Sequence, residues 1–147
     1  NQKAELWIVG DGYYKKNLIS LAEELGIKDH VKFLGKKGHD KLAILYNQAD
    51  IFVLANYQEI TPAINEALAC ERPVGVMECG GYKFVIPDEN HGLVSRKFDI
   101  DDLADKILFL IKNRKTAKRI AAKGRKYVLG NFSIEKVAEK LYRTYTE

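Results

Sequence analysis

Two carboxylates that bracket a helix start, Glu59 and Glu66, are the residues of this chain whose type and spacing best suit chemistry. Between them stands Thr61-Pro62. A threonine hydroxyl can cap free amides of a first helical turn, and proline at the first helical position gives up an amide that has no intrahelical partner anyway. A helix N-terminus offers unpaired amides and a partial positive charge, which suits a phosphate, while nearby carboxylates accept hydrogen bonds from hydroxyls. A ligand carrying both phosphates and hydroxyls, such as a nucleotide sugar, fits that set. Acids near a helix start also serve the helix dipole alone, so the functional reading depends on what surrounds them.

The elements that must hold this tip in place can be read in order. The apolar run Ile51 to Leu54 reads as a strand buried on both faces, as in a parallel sheet. Upstream, Glu5 to Gly10 (ELWIVG) reads as another buried strand running into Asp11-Gly12, where Gly10 and Gly12 permit a tight turn and close approach of a ligand. The third glycine of a dinucleotide fingerprint is missing. Leu18, Leu21, Ala22 and Leu25 recur at helical spacing before Gly26, and Val31 to Leu34 gives a strand ending at Gly35. His39 to Gln48 reads as a short helix with Leu42, Leu45 and Tyr46 inward. After the helix opened by Pro62 come a strand at Pro73 to Met77, the turn Gly80-Gly81, a helical piece through Ile86, the turn PDENHG and a strand at Gly92 to Ser95. The remainder reads as helical. Asp101 to Lys112 has Leu103, Ile107, Leu108 and Ile111 inward, and Thr116 to Leu129 follows. A final helix over roughly 133–145, capped by Ser133, has Val137, Leu141 and Tyr145 on one stripe. Alternating strands and helices predict an α/β fold, a Rossmann-like parallel sheet flanked by helices, with any ligand at the carboxyl ends of the strands.

Composition narrows the class. The 147 residues suit one domain, and 46% hydrophobic with 30% charged residues is the balance of a soluble globular protein. No apolar run approaches the ~20 residues of a membrane span and no signal peptide opens the chain, so a cytoplasmic protein is expected. Cys70 and Cys79 lack His or Cys neighbours at ligand spacing, which argues for reduced thiols and against a zinc site. The net charge of +4 hides an asymmetry. Residues 106–133 carry nine basic side chains (Lys106, Lys112, Arg114, Lys115, Lys118, Arg119, Lys123, Arg125, Lys126) and no acid, leaving 15 basic residues against 20 acids elsewhere. Such a face is either a solvated helix surface or a peripheral contact with an anionic membrane, here its cytoplasmic side. Nucleic acid is disfavoured, because few aromatic rings interleave the basic residues and no nucleic-acid motif accompanies them.

In their order and spacing, LWIVGDG, VKFLG, ADIFVLANYQE with NEALAC, RPVGVMECGG, IPDENHGLV and FSIEKVAEKLY resemble the C-terminal, donor-binding domain of retaining glycosyltransferases of family 4, which have the GT-B fold. The resemblance covers nearly the whole chain, making 1–147 a single nucleotide-sugar-binding domain. It implies that Glu59 touches the donor sugar and is the catalytic acid of the pair, and that Glu66 holds the ribose. By the same carry-over the diphosphate lies near Thr61 and the amides of Ala63 and Ile64. Gly10 and Gly12 lie in the strand-to-helix turn, Gly35 and Lys36 match the loop beside the base, and Gly80 and Gly81 match a loop lining the donor cleft. The family needs no metal or cofactor, the nucleotide sugar being a substrate.

Departures from the family pattern accompany the match. The family pair usually has seven residues between its acids, whereas Glu59 and Glu66 have six, so either the loop is one residue shorter or Gln58 fills the first place. A glutamine would bind hydroxyls without a charge to steady a cationic transition state. Glu71 stands where the family commonly has glycine, suggesting a changed turn, and Phe84 replaces a frequent acid after the double glycine. The family's first strand and helix, with an arginine and a lysine for the diphosphate, have no counterpart here. The expectation is therefore a fragment: the first strand and an N-terminal domain for a glycan or lipid-linked acceptor lie upstream, and unpaired strand edges flank a gap between the strands of Leu6 and Ile51. Two alternatives stay open, a nucleotide-sugar epimerase acting without an acceptor and a non-catalytic module that keeps the fold.

Overall fold

The computed structural model describes residues 4–56 and 61–146. The chain divides into two compact units, Asn1–Leu42 and Ala43–Glu147. In the first, strand β1 (Leu6–Val9), helix α1 (Lys15–Glu24), a short 3-10 turn (Lys28–His30) and strand β2 (Val31–Gly35) make one βαβ unit. The strands are parallel, Leu6 facing Val31 and Ile8 facing Phe33, before a slip sets Val9 opposite Gly35. Gly26 ends α1 in the left-handed region (φ +65°). Its amide donates to Glu23 O and that of Ile27 to Ala22 O, the paired closure that helix ends adopt when one residue takes this conformation. The expected burial is only partly realised. Leu6 is 50% exposed, and on α1 Ala22 is buried while Leu18 and Leu21, with Leu25 just after the helix, are exposed. Among the described residues β1 has a single partner strand, so one edge stays open, and a two-stranded sheet with one helix cannot enclose its apolar side chains.

Helix α2 (His39–Gln48) leads into the second unit, which holds strands β3 (Phe52–Leu54), β4 (Val74–Met77) and β5 (Leu93–Ser95), all parallel and in that order. Helix α3 (Pro62–Ala69) links β3 to β4, and a 3-10 turn (Tyr82–Phe84) lies between β4 and β5. Helices α4 (Ile100–Lys112), α5 (Arg114–Phe132) and α6 (Ile134–Thr146) follow. Every residue of β4 is buried, as an apolar strand covered on both faces should be. Val74 and Val76 pack with Ile64 and Leu68 of α3, Ile86, and Val128 of α5. Gly75 brings Ile107 and Leu110 of α4 within ordinary contact of where a side chain would begin. The strand over 51–54, expected to be buried on both faces, is only half-buried, because β3 pairs with β4 alone among the described residues.

The helices also differ from expectation in detail. On α4, Leu103 and Leu110 are buried while Leu108 is 45% exposed, so Leu110 takes the inward place assigned to Leu108. Asp99 caps that helix by accepting the Asp102 amide at 2.9 Å. Ser133 Oγ accepts the Lys136 amide at 3.4 Å at the start of α6, yet the stripe of Val137, Leu141 and Tyr145 is exposed rather than packed. At the end of α3, Glu71 adopts the left-handed conformation (φ 57°). Its amide donates to Leu68 O and that of Arg72 to Ala67 O. This repeats the closure made by Gly26 and holds a side chain in a strained conformation.

Candidate functional site

In the second unit, α3 follows β3 and the Gly80-Gly81 turn follows β4. Because β3 and β4 are parallel neighbours, both connections leave the same edge of the sheet, the carboxyl edge where open α/β sheets take their ligands. Gly81 has φ 78°, a conformation that suits glycine, and it opens the 3-10 turn in which Phe84 is 74% exposed. Sequence reasoning therefore placed Thr61, Ala63, Ile64, Glu66, Gly80 and Gly81 on connections that share an edge. Glu59 and Gln58 lie outside the described residues, so the identity of the first acid is an expectation only.

The helix start departs from the expected capping. Pro62 is its first residue, as expected, but the Thr61 side chain makes no cap hydrogen bond. Among the described residues Thr61 Oγ1 and Asn65 Oδ1 are buried with no hydrogen-bond partner. Two such atoms at one helix end are unusual, since buried polar groups are nearly always satisfied. The Ile64 amide donates to Thr61 O at 3.2 Å and Ile64 is fully buried, so its amide is already engaged rather than open as expected.

Glu66 lies one turn into α3 and accepts a hydrogen bond from Tyr46 Oη at 2.9 Å. Tyr46 comes from α2, and its ring meets Phe52 of β3 edge-on with centroids 5.8 Å apart. Burial, then the Glu66 carboxylate, push the Tyr46 hydroxyl far above the usual tyrosine value, so it is a donor at any working pH. The sequence reading took Tyr46 only as an inward apolar position. The available signal was that a buried tyrosine needs a partner for its hydroxyl. Just past β4, burial followed by the charge of Glu78 raises the Cys79 thiol, which suits an inert packing residue.

In the first unit the Gly10 amide donates to Gly35 O at 3.0 Å, which joins the carboxyl ends of β1 and β2. Both glycines have positive φ, 125° and 68°, so both turn in ways that side chains resist. Asp11 Oδ1 accepts the Gly12 amide at 3.1 Å and pairs with Lys15 at 3.5 Å, while Lys36 is exposed. Gly10, Gly12, Gly35 and Lys36 thus share the carboxyl edge of their own strand pair. Among the described residues no three His, Cys, Asp or Glu side chains gather as a metal site would require.

Residues 1–127 match the family described as glycosyl transferases group 1. A GDP-mannose-dependent alpha-(1-6)-phosphatidylinositol monomannoside mannosyltransferase of Mycobacterium tuberculosis is 30% identical over 146 residues, which cover 94% of this chain and 38% of that one. The sucrose-phosphate synthase of Thermosynechococcus elongatus superposes with a TM-score of 0.86 at 28% identity, over 97% of this chain and 38% of its own. The Anabaena protein HepE, solved with UDP and glucose, gives 0.89 at 21% identity, over 97% and 40%. This chain therefore spans at most 40% of any of the three. With the parallel α/β architecture and its glycine turns already in place, the match over residues 1–127 settles the family: the chain belongs to the glycosyl transferases group 1.

Proposed function

We propose that this chain binds the nucleoside diphosphate sugar for a retaining, metal-independent transfer of a hexosyl group to a glycan or lipid-linked acceptor held elsewhere in the protein. The observation that carries the reading is the start of α3, where Thr61 Oγ1 and Asn65 Oδ1 are buried without partners and Glu66 follows within the helix. A diphosphate at a helix N-terminus would meet a favourable dipole and could satisfy the Thr61 hydroxyl. Glu66 would accept the ribose hydroxyls, and Glu59 would face the sugar and steady positive charge as the leaving diphosphate departs. Glycines at positions 80 and 81 allow backbone to approach the donor closely. HepE binds UDP and glucose and the mycobacterial relative depends on GDP-mannose, which motivates the donor class. Calorimetry of the full-length protein with UDP-, GDP- and ADP-sugars tests the reading. Binding of one of them, with product of unchanged anomeric configuration by NMR, supports it, and binding of none refutes it.

The same reading includes a peripheral membrane contact. The residues of α5 that face its neighbours are Ala117, Ile120, Ala121, Gly124 and Val128. Its opposite side exposes Lys115, Lys118, Arg119 and Lys126, none with an ion-pair partner among the described residues. Exposed Leu129 adds an apolar side chain to that face. Bases near an anionic bilayer contribute about 1 kcal/mol each. No helix among the described residues is long and apolar enough to cross a membrane. Co-sedimentation that rises with phosphatidylglycerol content, and falls when Lys115, Lys118, Arg119 and Lys126 become glutamate, supports the contact; insensitivity to either change removes it.

A further inference from the structure

Tyr46 and Glu66 stand twenty positions apart in sequence, on α2 and α3, yet the phenol donates to the carboxylate at 2.9 Å. Everything around the ring fixes it. It lies half-buried, edge-on to Phe52, and both aromatics pack against the cluster of Ile64, Leu68, Val74 and Val76. Phe52 is itself held in the ladder, facing Val74. Tyrosine has two side-chain torsions and a rigid body, so such packing leaves its hydroxyl little freedom. Glutamate has three torsions and loses considerable rotamer freedom when ordered. A hydrogen bond from a fixed donor to a charged acceptor restrains the mobile partner, and such bonds are the stronger kind.

We propose that Tyr46 is a positioning residue for Glu66, setting the plane of its carboxylate so that it meets the paired hydroxyls of the donor's ribose. The inference rests on the reading of Glu66 as the ribose-holding acid. Pre-ordering the acid removes an entropy cost that binding would otherwise bear, so loss of the phenol acts on donor affinity rather than on the chemical step. Tyr46→Phe keeps the ring and its packing while deleting the donated hydrogen bond.

The experiment uses the full-length protein with UDP, GDP and ADP, taking forward whichever the unaltered protein binds, together with its 2′,3′-dideoxy form. Tyr46→Phe is expected to raise the Kd for the nucleotide about fivefold to tenfold, within the net contribution of one hydrogen bond. The penalty should vanish for the dideoxy nucleotide and in a Glu66→Ala background. In turnover assays the donor KM should rise while kcat is nearly unchanged. A general packing defect would instead weaken both nucleotides equally and persist without Glu66, and that result overturns the inference. Unaltered affinity in Tyr46→Phe, alongside a clear loss in Glu66→Ala, also overturns it while leaving the role of Glu66 standing. Unaltered affinity in Glu66→Ala removes the underlying reading, and the inference with it.

Discussion

Replacing Gly124 by alanine sets two physical effects against each other. Gly124 lies within α5 (Arg114–Phe132), where alanine is favoured over glycine by about 1 kcal/mol on helix propensity. Propensity alone therefore predicts stabilisation. The tertiary structure predicts the opposite. A Cβ built at this position lies 2.6 Å from Leu68 Cδ2 and 2.7 Å from His91 O, where ordinary contact begins at 3.4 Å. The leucine methyl can rotate away. The carbonyl is main chain in a turn that is itself held, the His91 amide donating to Asp88 O and Asp88 Oδ1 accepting the Asn90 amide. Relief requires α5 to part from that turn by about 0.7 Å, and overpacking of this kind costs about 1–3 kcal/mol. The backbone obstacle puts the cost toward the upper end, so the net is a loss of about 1–2 kcal/mol, or roughly 2–8 °C in Tm for a chain of this size. Leu68 belongs to α3, the helix that also bears Glu66, so donor affinity should fall in parallel. Differential scanning calorimetry of both forms decides the matter. A Tm equal to or above that of the parent would show that α5 does not approach the 88–91 turn this closely, and the packing argument would fail.

Glu71→Gly should act in the other direction, because it relieves a left-handed conformation (φ 57°) at the end of α3 at the expense of a distant pair with Arg125 (3.9 Å). A gain of about 0.5–1 kcal/mol is expected, roughly 1–4 °C in Tm, and a lower Tm would mean that the side chain matters more than the backbone. Glu66→Ala should weaken nucleotide binding roughly 10- to 100-fold, more than Glu59→Ala, because ribose contacts exist in substrate and product alike; calorimetric titration that ranks them the other way would mean the two roles are exchanged. Acid should destabilise the fold by a traceable route. The Asn90 amide, with the His91 ring next, holds the Asp88 carboxyl below its ordinary range, and Lys136 does the same for Glu139. A carboxyl with a depressed folded value contributes stability above its unfolded value and loses it as pH falls through the folded one, so Tm should hold from neutrality to about pH 4 and then drop. Asp88→Asn should shrink that drop, and an unchanged acid limb would exclude Asp88 as a source.

The order of elements was legible because it rests on local rules. Apolar runs of β-formers, helical spacing and glycine or proline punctuation gave β1 to β5 and α1 to α6 to within a few residues, including α2 at His39–Gln48 and Pro62 at the head of α3. The parallel arrangement followed from alternation, and with it the carboxyl edges that carry Gly10, Gly35, Gly80 and the start of α3. The short 3-10 turn at Lys28–His30 was missed, since three residues carry no periodic signal.

What chain order cannot encode is which surfaces meet. Hydrophobic spacing marked Leu108 as inward and set Val137, Leu141 and Tyr145 on one stripe, but burial depends on a neighbour, and those side chains are exposed. Local propensity favours Thr61 as a cap, yet its hydroxyl is buried and unpartnered among the described residues. Glu71 carries no sign in its own chemistry that its backbone must turn left-handed; the hydrogen bonds closing α3 impose that. The meeting of Tyr46 with Glu66 joins residues twenty positions apart. Sequence alone therefore determined the elements, their order and the class of ligand edge, because those follow from neighbouring residues. Burial, strain and the hydrogen bond that orients Glu66 were decided by tertiary structure, because each depends on groups brought together only when the sheet and its helices pack.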